Sequence, residues 1–199
     1  MRTRLILIRH GVTAWNASKK YCGYKDVPLN TEGNKQARKL RKRLSAIPID
    51  AVYSSDLKRA VTTARIAMGG RKITRVRELR EINFGALEGL DHAQIMKKYP
   101  IPYTKWLKYP LKKHSLPGAE SMSAFRRRVS RAIKKILAEN RGKTVAIFCH
   151  GGTISVFFTA ILKKNAFWRY VPGSTSVSIL EFQGNKPAIK LFNCTKHLR

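Results

Sequence analysis

Arg2-Thr3-Arg4-Leu5-Ile6-Leu7-Ile8-Arg9-His10-Gly11 decides how the rest of this 199-residue chain is read. A run this short and this rich in leucine and isoleucine has the length of a buried strand, far below the roughly 20 residues that cross a bilayer as a helix. It ends abruptly in a guanidinium and an imidazole. Charged side chains directly after such a strand stand at its carboxyl end, the edge at which open α/β sheets bind ligands. Gly11 then lets the backbone turn or approach a ligand closely. Arg-His-Gly alone is a weak signal, because a strand ending in a solvated arginine and a hydrogen-bonded histidine is the commoner origin of such a triplet. A second stretch changes the balance. Thr144-Val145-Ala146-Ile147-Phe148-Cys149 is another apolar strand, and it runs into His150-Gly151-Gly152-Thr153 and then an apolar helix. Two strands thus bring a histidine followed by glycine to the same edge of one sheet.

Five groups of residues recur in a fixed order along the chain. They are Arg9-His10-Gly11 with Thr13 and Trp15-Asn16; Gly23 with Asp26-Val27-Pro28-Leu29 and Gly33; Tyr53 to Ala60 with Thr63-Ala64; Leu79 to Gly85 with Glu88-Gly89; and Cys149-His150-Gly151-Gly152. On these residues the chain resembles the histidine phosphatase superfamily, which contains phosphoglycerate mutases and many small phosphatases. The resemblance implies an α/β fold, a three-layer, doubly wound and mostly parallel sheet with helices on both faces and a small cap excursion. Length and a hydrophobic content of 43% suit one domain over residues 1–199, with the cap-like insertion at about residues 90–119.

Charge is the outlying feature. Lys+Arg 41 against Asp+Glu 11 gives a formal net charge of +30 and a sequence pI near 10.8. Such a field attracts anions of any kind and bears on partners and encounter rates more than on fold. Cys22, Cys149 and Cys194 have neither metal-like nor paired spacing, which predicts a reducing compartment without a disulfide framework. With no long apolar amino-terminal core, the expected location is cytoplasmic and the chain has no membrane partner.

Between the two histidine strands, the polar loop from Ala17 to Asn30 is placed at the site mouth, and Thr31 caps a helix to about Ala46 with a basic outer face. Asp50 to Tyr53 reads as a second strand, with Ser54-Ser55-Asp56 offering N-cap chemistry to a helix that carries Arg59 in its first turn. A third strand spans about Lys72 to Val76. Leu90 to Ala119 breaks the pattern with four prolines, four aromatics and six lysines, and reads as a cap, more readily a locally packed loop with solvated lysines than a base-stacking surface. Apolar residues recurring at three and four predict a long amphipathic helix over about Glu120 to Asn140. A helix over Thr153 to Lys163 and a hairpin turning at Gly184-Asn185 close the chain.

The residue types suit phosphate monoester chemistry. A phosphate monoester repels nucleophiles, so a catalyst must neutralise charge, supply a nucleophile and protonate the leaving oxygen. Arg9 and Arg59 offer planar, permanently charged forks matched to phosphate oxygens. Cations beside His10 keep its imidazole neutral. By resemblance, His10 is the nucleophile that becomes phosphohistidine, and Glu81 is the proton donor. His150 is the second imidazole of the phosphate pocket. Thr13, Asn16 and the Gly151 amide are added as neutral phosphate donors, and Cys22, Gly23 and Tyr24 as substrate contacts. Glu88 is the rival carboxylate, read first as a turn or capping residue.

Two departures mark the chain: Cys22 stands where many relatives carry glutamine, and Leu87 where many carry tryptophan. A cysteine phosphatase is rejected, since Ser155 stands where Cys149-x5-Arg needs arginine. No metal cluster and no cofactor is expected. The reading is a metal-independent phosphomonoesterase for a small phosphorylated metabolite, nearest to phosphatases such as those acting on α-ribazole phosphate. The alternatives are a bisphosphoglycerate-dependent phosphoglycerate mutase and a polyanion-binding protein with a vestigial site. Non-specific polyanion binding through the basic surface is an expected partner mode, and the oligomeric state is open, a homodimer included.

Overall fold

A computed structural model describes residues 1–112 and 116–199. The alternating side chains of β1 (Arg2–Arg9) account for the layered architecture. Leu5 and Leu7 enter one apolar cluster, Ile6 and Ile8 the other, and all four are fully buried. A strand buried on both faces must lie inside a sheet covered on both sides. β1 accordingly sits within a six-stranded sheet of order β3-β2-β4-β1-β5-β6. β2 (Ala51–Ser54), β3 (Thr74–Arg75) and β4 (Thr144–Cys149) run parallel with it, whereas β5 (Val177–Gln183) and β6 (Lys186–Cys194) form the antiparallel closing hairpin.

Helices α2 (Thr31–Ser45) and α3 (Lys58–Met68) cover the Ile6 face; α6 (Met122–Glu139) and α7 (Gly151–Leu162) cover the Leu5 face. The expected three-layer, mostly parallel α/β sheet is therefore what the chain adopts. α6 buries Met122, Phe125, Val129, Ala132, Ile133 and Ile136, the periodic residues of the sequence. Fully burying a side chain such as Phe125 contributes about 1.5–3 kcal/mol.

Several boundaries differ from expectation. The N-cap of α2 is Asn30, whose side chain accepts the Gly33 amide at 2.8 Å, so Thr31 is already helical. α3 has Leu57, which carries no polar side-chain atom, at its N-cap position; Ser55 Oγ accepts the Leu57 amide at 3.4 Å and Asp26 that of Lys58 at 2.7 Å. β3 shrinks to two exposed residues. α7 begins two residues earlier than expected, directly at Gly151. The cap is more regular than its prolines suggest: α4 (His92–Lys98) has an Asp91–Gln94 capping box, and Pro100 starts α5 (Pro100–Lys108) at a position where a helix tolerates proline. Leu87, Ile95, Tyr103, Trp106 and Leu116 give it a small core of its own, and the Tyr21 and Tyr103 hydroxyls, 2.8 Å apart, tie it to the loop after α1 (Ala14–Ala17). Residues 113–115 of this stretch, Lys113 among them, lie outside the described residues.

One close approach joins the turn after β1 to α2. A Cβ built on Gly33 would stand 2.1 Å from the Val12 carbonyl oxygen. Backbone on both sides leaves no side chain to give way, so Gly33→Ala is expected to lose about 1–3 kcal/mol. Urea unfolding measures this, and a variant as stable as the parent would mean that the approach is looser than described.

Candidate active site

The register of β1 against β4 pairs Arg9 with Cys149, so the next residues, His10 and His150, leave the sheet side by side. Their ring centroids are 5.1 Å apart at 61°. The His10 amide donates to the Cys149 carbonyl at 3.0 Å, and Nδ1 lies 2.7 Å from the Gly11 carbonyl. A carbonyl only accepts, so Nδ1 carries the ring proton and Nε2 keeps its lone pair.

Arg59, fully buried in the first turn of α3, sets the opposite tautomer on His150. Its Nε–H donates to His150 Nδ1 at 3.2 Å, which leaves the His150 proton on Nε2, 2.9 Å from Ser55 Oγ. The rest of the guanidinium donates to the carbonyls of Lys25 at 2.9 Å, Gly23 at 2.6 Å and Cys22 at 3.4 Å. Thr63, one turn on, donates to the Arg59 carbonyl and accepts the Gly11 amide, tying the α3 backbone to the Arg9-His10-Gly11 turn.

Arg9 donates through Nη1 to the Pro172 carbonyl, while its Nε is buried without a partner. Its guanidinium packs on Gly151, where a Cβ would come within 3.4 Å of Cζ. Glu81, 8% exposed, accepts the Gly152 amide at 2.8 Å and its neighbour's amide, Ile82, at 3.0 Å. Gly152 is needed for this approach, since a Cβ there would stand 2.4 Å from Glu81 Oε1.

The electrostatics follow from burial. Desolvation, with Arg59 and Arg9 beside it, holds the His10 pKa well below the ordinary histidine value. Desolvation and then Arg59, His10 and Arg9 do the same to His150. Burial raises Glu81 above the usual carboxylate range, opposed by the two amides and the arginines. The constellation is therefore two neutral imidazoles, two guanidinium groups and one carboxyl whose pKa burial raises. Cys149, buried beneath it, is pushed far up by desolvation and is a poor thiolate.

The other expected residues surround this constellation. Thr13 and Asn16 form a capping box on α1 and hydrogen-bond each other, the Thr13 hydroxyl donating to Asn16 Oδ1 at 3.1 Å. Cys22 and Gly23 meet the site through their carbonyls. The Tyr24 ring lies under the Arg80 and Arg128 guanidinium groups. Glu88 accepts the Tyr24 and Lys25 amides at 2.7 Å each and that of Phe84 at 3.1 Å, which makes it a loop organiser. Among the described residues, no group of three His, Cys, Asp or Glu side chains is placed to hold a metal ion. No helix among them is long and apolar enough to cross a membrane. A cavity of about 890 Å³ between α6, α7 and the β5–β6 hairpin contains none of these groups, so chemistry and not volume marks the site. Sequence reasoning missed Ser55, whose hydroxyl reads as a helix cap, and the Pro172 carbonyl, which carries no residue-specific signal at all.

The family model described as the histidine phosphatase superfamily (branch 1) matches residues 5–195. The chain belongs to this family. Phosphoserine phosphatase 1 of Hydrogenobacter thermophilus is 30% identical over 98% of this chain and 94% of its own length. The adenosylcobalamin/alpha-ribazole phosphatase of Escherichia coli is 30% identical over 84% of each chain. Among solved structures, Bacillus stearothermophilus YhfR superposes with a TM-score of 0.93 at 31% identity, covering 99% of this chain and 100% of that one.

In this histidine phosphatase the buried histidines couple stability to pH. Their pKa values are depressed in the fold, so below about pH 6.5 the unfolded chain takes up protons that the folded chain does not, and stability falls as pH drops. Glu81, raised in the fold, acts with the opposite sign, stabilising at low pH and losing that contribution as pH rises through its raised value. Each histidine contributes up to about 1.4 kcal/mol per pH unit. Urea unfolding between pH 7 and 5 should therefore weaken less steeply in His10→Gln than in the parent; equal slopes would refute a neutral buried His10.

Proposed function

We propose that this histidine phosphatase hydrolyses monoesters of small phosphorylated metabolites through a phosphohistidine on His10. The observation that carries the reading is the meeting, at one sheet edge, of a neutral imidazole with a free Nε2 lone pair, two arginines and a buried carboxyl whose pKa is raised. Arg9 and Arg59 hold the phosphoryl oxygens, trading carbonyl partners for phosphate, with His150 and the Gly151 amide at the start of α7 beside them. His10 Nε2 attacks phosphorus as the ester P–O bond breaks, and Glu81 gives its proton to the departing oxygen. Water then attacks the phosphohistidine, Glu81 takes a proton from it, the P–N bond breaks, and inorganic phosphate leaves. Thr13 and Asn16 shape the turn behind His10, while Cys22, Gly23 and Tyr24 form the wall toward the rest of the substrate.

Relatives named for phosphoserine and for α-ribazole phosphate support a small monoester as substrate and favour hydrolysis over phosphoglycerate mutation. No step requires a metal. Three free cysteines support a reducing cytoplasm as the working compartment.

Phosphate release from phosphoserine, α-ribazole phosphate, 3-phosphoglycerate and p-nitrophenyl phosphate, with a chelator present, tests the proposal. Activity is expected to vanish in His10→Ala and to fall by about 10² to 10⁴ in Glu81→Gln; full activity in His10→Ala would end the phosphohistidine reading. The net charge of +30 should also steer anionic substrates, so kcat/KM falls as ionic strength rises. A kcat/KM indifferent to salt would leave the surface charge without a part in substrate capture.

A further inference from the structure

We infer that the outer face of α2 is a docking surface for the phosphate backbone of a nucleic-acid duplex, bound without regard to sequence. Lys35, Arg38, Lys39 and Lys42 are exposed and spaced three, one and three residues apart, so they share one side of the helix, opposite the buried Gly33, Ala37, Leu40 and Leu44. None of them has a carboxylate within salt-bridge distance among the described residues. Elsewhere Arg80 pairs with Asp56, Arg128 with Glu120 and Lys135 with Glu139, whereas Arg127, Arg131 and Lys134 of α6 are, like the α2 set, in no salt bridge among the described residues.

The face is wider than one helix. Arg41 lies over the end of α3, its Nη2 3.0 Å from a Cβ built on Gly69. On the other flank the carboxyl-terminal turn, Lys196–Leu198, packs against α2, with Lys39 Nζ donating to the Leu198 carbonyl at 2.8 Å and Arg43 Nη1 to the Cys194 carbonyl at 3.1 Å. No Asp or Glu occurs between Glu32 and Asp50, between Asp56 and Glu78, or after Glu181. Apart from Glu32 in the first turn of α2, the charged side chains of α2, α3 and the terminal turn thus carry a single sign.

Three anionic partners compete for such a face, and its composition separates them. A helix docking on a membrane presents aromatic or leucine side chains beside its cations. The exposed large hydrophobics, Met1, Met96, Ile101, Tyr109, Trp168 and Ile189, all lie on other elements. A single strand is held by aromatic platforms for its bases, and this face has none. A duplex needs only cations placed along its phosphates. The stripe from Lys35 to Lys42 is about 10 Å long, a length over which a duplex carries about six charges. Two helices side by side, about 8–10 Å between axes, do not enter a major groove about 12 Å wide. The contact is therefore to phosphates, which carry no sequence information.

The stripe lies on the solvent side of α2 and uses none of the groups assigned to phosphate ester cleavage, so it stands or falls independently of that activity. Fluorescence anisotropy with a hydroxyl-ended DNA duplex tests it, with the triple variants Lys35→Glu/Arg38→Glu/Lys42→Glu on α2 and Arg127→Glu/Arg131→Glu/Lys134→Glu on α6. Both carry the same change in net charge. The α2 variant is expected to bind at least about tenfold more weakly near 100 mM salt and to lose about 2–3 from the slope of log affinity against log salt, whereas the α6 variant stays within about threefold of the parent by the same electrostatic argument. The neutral set Lys35→Gln/Arg38→Gln/Lys42→Gln must weaken binding in the same order, which separates lost charge from a damaged helix. Equal losses in the α2 and α6 variants would reduce the effect to net charge and overturn the assignment. So would the absence of duplex binding, or tighter binding to phosphatidylserine vesicles than to the duplex. His10→Ala is expected to bind the duplex like the parent, and a loss there would instead place the phosphates in the catalytic pocket.

Discussion

A cation with no exposed surface, Arg59, is the constraint around which this structure closes. Removing a guanidinium from water is expensive unless its hydrogen-bonding groups are satisfied and countercharge is near. Its Nε is taken by His150, and its two terminal nitrogens by three carbonyls of the loop from Cys22 to Lys25. That loop must therefore fold over the site, and Glu88 completes it by accepting two of its amides. The same bond that satisfies Arg59 decides which nitrogen of His150 is protonated. Fold, loop and tautomer are consequences of one buried charge.

Burial also separates the roles of groups that are close together. Within the same enclosure desolvation acts in opposite directions on acid and base, lowering His10 and His150 and raising Glu81, because it disfavours whichever form is charged. The arginines reinforce the shift on the histidines and oppose it on the carboxyl. The result is a site of fixed positive charge in which the two imidazoles are neutral and the carboxyl is shifted toward its protonated form.

The scarcity of acids sharpens their placement. Eight of the eleven carboxylates in the sequence are held at defined positions. Glu81 and Glu88 organise the site and its loop, Asp26 and Asp91 accept amides at the starts of α3 and α4, and Asp50 accepts the first amide of β4. Asp56, Glu120 and Glu181 pair with arginines across elements. Most of the negative charge thus lies where backbone or a cation requires an acceptor, and Glu32, Glu78 and Glu139 are exposed. Outer helix faces are left mostly to lysine and arginine, with Glu32 on α2 and Glu139 on α6 as exposed carboxylates.

Sequence by itself determined the sheet and the edge at which its two histidines meet. Strands buried on both faces read as uninterrupted apolar runs, and a charged residue cannot continue such a run, so Arg9, His10 and His150 mark its end in the primary structure. Periodicity likewise determined α6, and the Gly184-Asn185 turn determined the closing hairpin. Only the tertiary structure decided what the polar side chains do. Ser55 reads as a cap because its local backbone offers that bond, yet the hydroxyl faces His150 from a residue 95 positions away in the chain. The loop carbonyls on Arg59 and the Pro172 carbonyl on Arg9 belong to every residue type alike, so no sequence pattern announces them. The cap looked irregular because prolines interrupt it, but Pro100 sits where a helix begins and the aromatic residues pack among themselves. Local chemistry is legible residue by residue; a hydrogen bond between distant segments exists only once the core has brought them together.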